Sequence, residues 1–561
     1  MPKYLMPVGN TDFKEIRETG LYYIDKTMLI DQLVGKSRAK VTLFTRPRRF
    51  GKSLNMSMLQ HFFDIREKSE SLFGGLAISK NKALCGSWMN QYPTILVSFK
   101  DVGSSKFDTA YALLKGVISK LYENHKYLFE DNDSISKMQR KLIDMFLMRE
   151  ANAADLTDCL YLLTDIMYHK YENTPVILLI DEYDVPMAKG DANGYYRDIT
   201  DIMSVMLSKA LKDNPYIKFA VLTGCLRIAR ESIFTGLNNP KIYSILDYGF
   251  EEFFGFTDSE IDCLLADTGF TGYKEKIKQW YDGYHFGDTD IYCPWDVLNY
   301  VSDLQQKAGI EPKNYWANTS GNDVIRQYLE SDNVNPHSDF ETLLAGKCIR
   351  KTIAEDITYD NLLSSEENFW SVLLMTGYLT VVPKDEVDAE NVSNDTEGVY
   401  LRLVNNEIKE LFSRTVVSWF KNKMLKEDRT ELFKAIWSGD AETITDELCG
   451  FLGDSISFYD YHEIFYHAFL TGLLSGVKGI IIKSNSETGT GRADVVLQYP
   501  RKGLAAIFEF KSAKSEAAMN KKCDEALKQI ETRKYSFPFR HNTVLKYGIA
   551  FFEKQCLVKK G

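Results

Sequence analysis

Val176-Ile177-Leu178-Leu179-Ile180 restricts the fold more than any other segment, because five consecutive aliphatic side chains follow Pro175 with no polar residue among them. A strand of that composition needs both faces covered, as happens to a central parallel strand in an α/β sheet flanked by helices. The run stops at Asp181-Glu182-Tyr183-Asp184, so acidic residues stand where the strand leaves the core. Two further stretches, Val41-Thr42-Leu43-Phe44-Thr45 and Ile217-Lys218-Phe219-Ala220-Val221-Leu222-Thr223-Gly224, read as strands too.

The first of these runs through Arg46-Pro47-Arg48-Arg49-Phe50 into Gly51-Lys52-Ser53. A strand, a tight turn and a helix start with that ending wrap backbone amides around the phosphates of a nucleotide. Lys52 is expected on the β- and γ-phosphates and the Ser53 hydroxyl on Mg²⁺, while Gly51 lets the main chain approach the anion. The complete phosphate-loop pattern has glycine five positions before Gly51, where this chain has Arg46. Gly-Lys-Ser alone arises often by chance, and the acidic pair supplies the context. Asp181 is expected to hold Mg²⁺, and Glu182 to orient and deprotonate the water that attacks the γ-phosphate. The plainer alternative, a strand that ends in a polar turn, leaves the Gly-Lys-Ser segment unexplained. Thr223, at the end of its strand, is expected beside the γ-phosphate as a sensor. Arg227 and Arg230 are compatible with a phosphate contact, in cis or from a neighbouring subunit, and equally with surface ion pairs.

A chain of 561 residues exceeds one hydrophobic core, so two to four domains are expected. With 44% hydrophobic and 26% charged residues, and without long Gly/Ser tracts, it has a globular composition. The start, Met1-Pro2-Lys3-Tyr4-Leu5, lacks the basic segment and apolar run of a secretory signal, and no apolar run is long enough for a bilayer. A cytoplasmic location with no membrane partner is therefore expected. Nine cysteines are scattered singly, without Cys-x-x-Cys or Cys/His clusters, which argues against zinc ribbons and disulfide frameworks. The net charge of −10 argues against a generally basic surface for coating nucleic acid, and leaves room for a local basic groove.

A second constellation lies near the other end. Phe458 to Leu474 has helical periodicity and includes Glu463; strand-like runs follow at 479–482, 493–499 and 505–511, then a helix at 517–533 and a strand at 544–552. Glu509 and Lys511 are two apart on a strand and share a face, and a hairpin can bring Asp494 alongside them. Two carboxylates then chelate a hard divalent cation, and an ammonium stabilises a developing phosphorane, an arrangement suited to phosphodiester hydrolysis. Glu463 is a further candidate ligand, and Gln529 a candidate support for the attacking water. A half-buried strand with a wet face is the alternative, although the apolar neighbours Ile507, Phe508 and Phe510 make an unpartnered carboxylate costly there.

Between the two constellations, the aromatic patches Phe253-Phe254-Gly255-Phe256 and Trp280-Tyr281-Asp282-Gly283-Tyr284-His285-Phe286 read as core packing rather than a base-stacking surface. His285 is given no ligand role. A helix at 369–376, strands at 378–382 and 399–403, and a helix at 406–420 fit a winged-helix-like unit with the acidic run 385–397 as a solvated hairpin tip.

With these residues in place, the chain resembles a bacterial family of AAA-ATPase-like proteins with a C-terminal PD-(D/E)XK nuclease domain. The resemblance rests on Pro7-Val8-Gly9, Tyr23-Ile24-Asp25-Lys26-Thr27, the Arg46-to-Ser53 segment, Leu179 to Asp184, Trp280-Tyr281-Asp282-Gly283-Tyr284 and Pro294-Trp295. It makes Arg46 a family feature. It implies ATP with Mg²⁺ at the first site, held by Arg48, Arg49, Gly51, Lys52, Ser53, Leu54, Asp181, Thr223 and Arg227. At the second it implies Mg²⁺ or Mn²⁺ on Asp494, Glu509 and Glu463, with Lys511 and Gln529 beside them. Ala493 stands where the nuclease pattern has proline. The expected architecture is α/β: a P-loop domain over 1–265, a helical and winged-helix-like middle over 266–440 and a restriction-endonuclease-like domain over 441–561. The implied activity is an ATPase that controls a metal-dependent nuclease, acting on DNA more than RNA, open to oligomerisation and connected with defence or mobile elements. The rival expectations are a nucleotide-switched binding protein that does not cut and a processive motor with a tethered nuclease.

Overall fold

The computed structural model describes residues 4–35, 39–130, 132–227, 240–316, 337–354, 357–359, 362, 365–387, 398–424, 428–455, 463–488, 491–552 and 555–561. Contacts divide the chain into two compact units, 1–318 with 350–408, and 319–349 with 409–561.

In the first unit, β1 (Val41–Thr45), β2 (Thr94–Ser98), β3 (Val176–Asp181), β4 (Ile217–Gly224) and β5 (Lys241–Tyr243) form one parallel sheet in the order β2-β3-β4-β1-β5. Every residue of β3 is buried, as its aliphatic run requires. Each such side chain contributes about 1.5–3 kcal/mol relative to exposure. Helices Phe107–Asn124, Cys159–Lys170 and Tyr196–Leu211 supply the apolar partners of the sheet. Because β4 lies between β1 and β3, with Phe44 opposite Thr223 and Ile180 opposite Leu222, the polar ends of all three strands emerge together. The helix α1 (Lys52–Phe63) starts there, behind Gly51 at φ 80°.

Packing accounts for the remaining motifs. Lys26 is buried against Glu260 at 2.5 Å and the Glu252 carbonyl at 2.6 Å, while Asp25 accepts from the Thr27 amide and hydroxyl and from the Ala77 amide. Gly283 is required because a Cβ there would collide with the Val404 carbonyl oxygen, at a backbone φ of 98° that side chains disfavour. The aromatic patches are core, as expected: Phe253, Phe254, Phe256, Tyr281, Tyr284 and Phe286 are all buried. Helix Glu366–Thr376, capped by the Ser365 hydroxyl, precedes an antiparallel pair, Leu379–Val382 with Val399–Leu403, and helix Asn406–Met424. Residues 388–397 of the acidic run lie outside the described residues.

In the second unit, β6 (Ile481–Thr488), β7 (Gly491–Tyr499), β8 (Leu504–Ser512), β9 (Thr543–Phe552) and β10 (Gln555–Lys560) lie in sequence order. The first three are antiparallel, β8 and β9 are parallel, and β10 returns antiparallel at the edge. Helix α2 (Glu516–Thr532) makes the crossover from β8 to β9. Ala506, Phe508 and Phe510 pack with helices Thr430–Ser438, Ala441–Ser455 and Glu463–Leu473. Ala505 and Ile507 pack with Ile530 of α2, and strand alternation puts Glu509 and Lys511 on that second face. The β10 strand is absent from the sequence-based reading, and β7 starts at Gly491, two residues before the run read from 493.

Candidate functional sites

At the exit of β3, Asp181 is almost fully buried and is held by hydroxyls from the neighbouring elements. Ser53 Oγ donates to Oδ2 at 2.7 Å, Ser98 Oγ to the same oxygen at 3.4 Å, and Thr223 Oγ1 to Oδ1 at 2.5 Å. Glu182 follows at φ 52°, outside the usual range for a side-chain-bearing residue, and its amide reaches Thr223 Oγ1 at 3.4 Å. Burial, and next the charge of Asp181, push the Glu182 carboxyl above its ordinary range, with Lys52 acting in the opposite sense. A more basic carboxylate is the better proton acceptor.

The Lys52 ammonium lies inside its own loop, donating to the Arg46 and Pro47 carbonyls at 2.9 Å each, with Cys225 Sγ at 3.8 Å. Left-handed φ values of 75° at Arg49 and 80° at Gly51 mark the alternation of backbone hand from which anion-binding nests of amides are built. A hydroxyl facing a buried carboxylate, beside a lysine and these amides, fits a Mg²⁺-bound polyphosphate. Arg46 explains how the loop manages without its glycine. Its guanidinium is fully buried, donates to the Thr45 and Tyr243 carbonyls at 2.9 and 2.8 Å, and lies 5.3 Å from the ring centres of both Phe254 and Phe286. Removal from water draws its pKa down to about 10.

The other residues expected in this set are spread more widely. Arg48 bonds Cys225 near Tyr359 and Asp184. Arg49, at φ 75°, has its guanidinium 3.7 Å from the Trp295 ring centre. Leu54 lines an apolar pocket with Pro7, Tyr23, Phe50 and Phe256. Neither side chain belongs to the cluster around Asp181. Arg227 is half-buried at the end of a described stretch, and Arg230 lies outside the described residues. Asp184 has a part that sequence reasoning missed: its Oδ2 accepts from the Cys225 and Leu226 amides at 2.8 and 3.1 Å and from Tyr359 at 3.3 Å. Its place in the acidic motif was the available signal.

The C-terminal constellation converges as well. Glu509 is 1% exposed; its Oε1 accepts from Lys511 Nζ at 3.3 Å and from Gln529 Nε2, and its Oε2 from the Asp494 amide at 3.4 Å. Asp494 Oδ2 in turn accepts from the Phe510 amide at 3.0 Å, and Gln529 reaches Tyr535 Oη at 3.3 Å. Burial first, and then the charge of Asp494, raise the Glu509 carboxyl to about 7 against the pull of Lys511. Two carboxylates with a shared excess of negative charge are a donor set for a hard divalent cation. Glu463 opens helix Glu463–Leu473, and its side chain lies outside the described residues. Among the described residues no group of three or more His, Cys, Asp or Glu side chains is arranged to hold a metal. Among them, too, no helix is long and apolar enough to cross a membrane.

Comparison with known proteins matches both regions. A family described as "Predicted AAA-ATPase" matches residues 7–234, and the PD-(D/E)XK nuclease superfamily matches residues 461–561. The chain is also similar to an "Uncharacterized protein in vnfD 5'region" of Azotobacter chroococcum mcd 1, at 24% identity over 96% of this chain and 94% of the relative.

Proposed function

We infer, from a chain that joins an AAA-ATPase-like N-terminal part to a PD-(D/E)XK-nuclease-like C-terminal part, that ATP at the first site controls a metal-dependent phosphodiesterase at the second. The observation that carries this reading is the pair of buried strand carboxylates, Asp181 at the end of β3 and Glu509 within β8, each set among the donors its chemistry needs. The working division is a nucleotide domain to residue 265, a relay to 440 and a nuclease domain beyond.

At the first site, Lys52 and the loop amides bind phosphate oxygens, and Ser53 with Asp181 would hold Mg²⁺. That ion would neutralise charge on the phosphates. Glu182 accepts the proton of the attacking water, and Thr223 fixes the Asp181 carboxylate. At the second, Asp494 and Glu509 would hold Mg²⁺ or Mn²⁺, which would polarise the phosphodiester and acidify water. Lys511 offsets charge on the phosphorane, and Gln529 orients Glu509 and the nucleophilic water. The substrate is a nucleic acid, DNA in preference to RNA, in a cytoplasmic defence or mobile-element setting, and the chain is open to self-assembly.

The test compares the full chain with Lys52→Ala and Asp494→Ala on labelled DNA and RNA, in Mg²⁺ or Mn²⁺, with and without ATP. Cleavage by the unaltered chain should respond to ATP, lose that response in Lys52→Ala and vanish in Asp494→Ala. If Lys52→Ala binds no ATP yet cuts as before under every condition, control by ATP is refuted. The second reading, a nucleotide-switched protein that binds nucleic acid without cutting, is favoured by one observation: Lys511 and Gln529 already occupy Oε1 of Glu509. It requires that neither the unaltered chain nor Asp494→Ala cut while both bind.

A further inference from the structure

Cys449, in helix Ala441–Ser455, and Cys556, on β10, have their sulfurs 3.6 Å apart although 107 residues separate them in sequence. The Cys556 amide donates to Cys449 Sγ at 3.3 Å, either thiol can donate to the other sulfur, and the carbonyls of Cys556 and Thr445 accept from Cys449 Sγ and Cys556 Sγ at 3.5 and 3.7 Å. The amide, joined by the Cys556 thiol when its proton points to Cys449, stabilises a Cys449 thiolate. A hydrogen bond from the Val558 amide to Thr445 Oγ1, at 3.0 Å, locks the helix to the strand at this register. We propose that Cys449 and Cys556 are a reversible redox site that closes as an intramolecular disulfide.

The roles of the two sulfurs differ. Cys449 is half-buried and reachable, and the bond from the Cys556 thiol draws its pKa down to about 6. Cys556 is 4% exposed, and the same bond, followed by burial, pushes its thiol up. Asp446 on the same helix and Cys523 from α2 are the other titratable groups near the pair. Cys449 is therefore the entry sulfur and Cys556 the resolving one. With a small-molecule disulfide RSSR as oxidant, the Cys449 thiolate attacks one sulfur, forming a mixed disulfide and expelling RS⁻, which takes up a proton. Cys556 then loses its proton to solvent and attacks Cys449 Sγ, expelling the second RS⁻, which is protonated in turn. One RSSR is reduced to two RSH while two cysteines are oxidised. The sulfurs need to approach from 3.6 Å to about 2.05 Å, the covalent S–S length.

The loop so closed contains Asp494, Glu509, Lys511 and Gln529, every described residue of the candidate nuclease site. Cross-linking a loop of this length restricts the unfolded chain most, so oxidation should make this unit more resistant to opening. The proposal rests on the fold of the second unit and is independent of whether that unit cuts nucleic acid.

The experiment incubates the full chain with oxidised glutathione or with dithiothreitol, denatures it, counts thiols and maps peptides by mass. Nine thiols are expected after reduction and seven after oxidation, with the peptides bearing Cys449 and Cys556 joined. Cys449→Ala should keep its eight thiols free of that cross-link. Because such a variant can be misfolded, native-state alkylation of the unaltered chain is the second measurement: at pH 7 Cys449 should react about tenfold faster than the exposed Cys263. Retention of nine thiols, pairing of Cys556 with Cys523, a glutathione adduct on Cys449 that never resolves, or alkylation of Cys449 no faster than Cys263 would each overturn the proposal.

Discussion

Replacing Glu509 by glutamine separates the cost of a buried charge from the benefit of a cation site. In the native state the carboxyl titrates at about 7, against 4.5 for an unperturbed one, because burial and Asp494 oppose its ionisation. Below about 4.5 it is protonated both folded and unfolded, so it adds no pH dependence. Between 4.5 and 7 the native state holds the extra proton, and each rise in pH lowers stability. Above 7 the penalty is complete and amounts to about 3 kcal/mol. Glutamine keeps the size and the acceptor for Lys511 and Gln529 without the charge. Glu509→Gln should therefore stabilise the second unit at pH 8 by about 3 kcal/mol, roughly 6–12 °C in its melting transition for a unit of this size. The gain should shrink steadily as the pH is lowered toward 5. The assay is urea unfolding without divalent cations, followed by amide hydrogen exchange along β8. In saturating Mn²⁺ the order should reverse, because the cation offsets the charge in the unaltered protein only. Equal stability of the two proteins at pH 8, or a difference indifferent to pH, would refute the reasoning.

Lys52→Ala should lower ATP affinity about a hundredfold, close to 3 kcal/mol, by calorimetric titration, since it removes the ammonium that the Arg46 and Pro47 carbonyls hold inside the loop. Thr223→Val leaves Asp181 Oδ1 without the Thr223 hydroxyl; it should cost about 1–3 kcal/mol of stability and at least tenfold in ATP turnover while ATP binding is retained. Arg46→Gly restores the complete glycine pattern, yet it should destabilise the first unit by about 3 kcal/mol in denaturant unfolding, because it empties the space between Phe254 and Phe286.

Local pattern carried much of this organisation. Val176 to Ile180 announced a strand buried on both sides, and the two-residue period placed Glu509 with Lys511 before any contact was known. The features that escaped depend on partners distant in sequence. Nothing near Arg46 indicates that Phe254 and Phe286 would flank it, so its position in the loop read as a departure from the motif. Cys449 and Cys556 are each unremarkable in their own segments and meet only when β10 returns along β9. β10 itself is a short strand at a sheet edge, where one side of the ladder has no partner to impose a hydrophobic pattern. Asp184 was visible as a charge, whereas its role in holding the amides after β4 requires knowledge of the strand order.

The two buried strand carboxylates are held differently, and the difference gives a last prediction. Asp181 is held by hydroxyls, whose oxygens can turn from donating to the carboxylate to facing a cation. Glu509 has a cationic donor and an amide on Oε1, whereas Oε2 receives the Asp494 amide at 3.4 Å, a long and weak bond. A cation therefore competes with least at Oε2, on the side of Asp494, and Lys511 has no need to move. On that reasoning Lys511→Met should leave Mn²⁺ affinity unchanged or improve it up to about tenfold, because a nearby positive charge is removed. Cleavage should nevertheless fall at least a hundredfold, since the developing phosphorane loses its ammonium. Mn²⁺ titration by electron paramagnetic resonance beside a cleavage assay reads both quantities; a Lys511→Met protein that binds the ion more weakly would show that the lysine helps build the site rather than acting on the substrate.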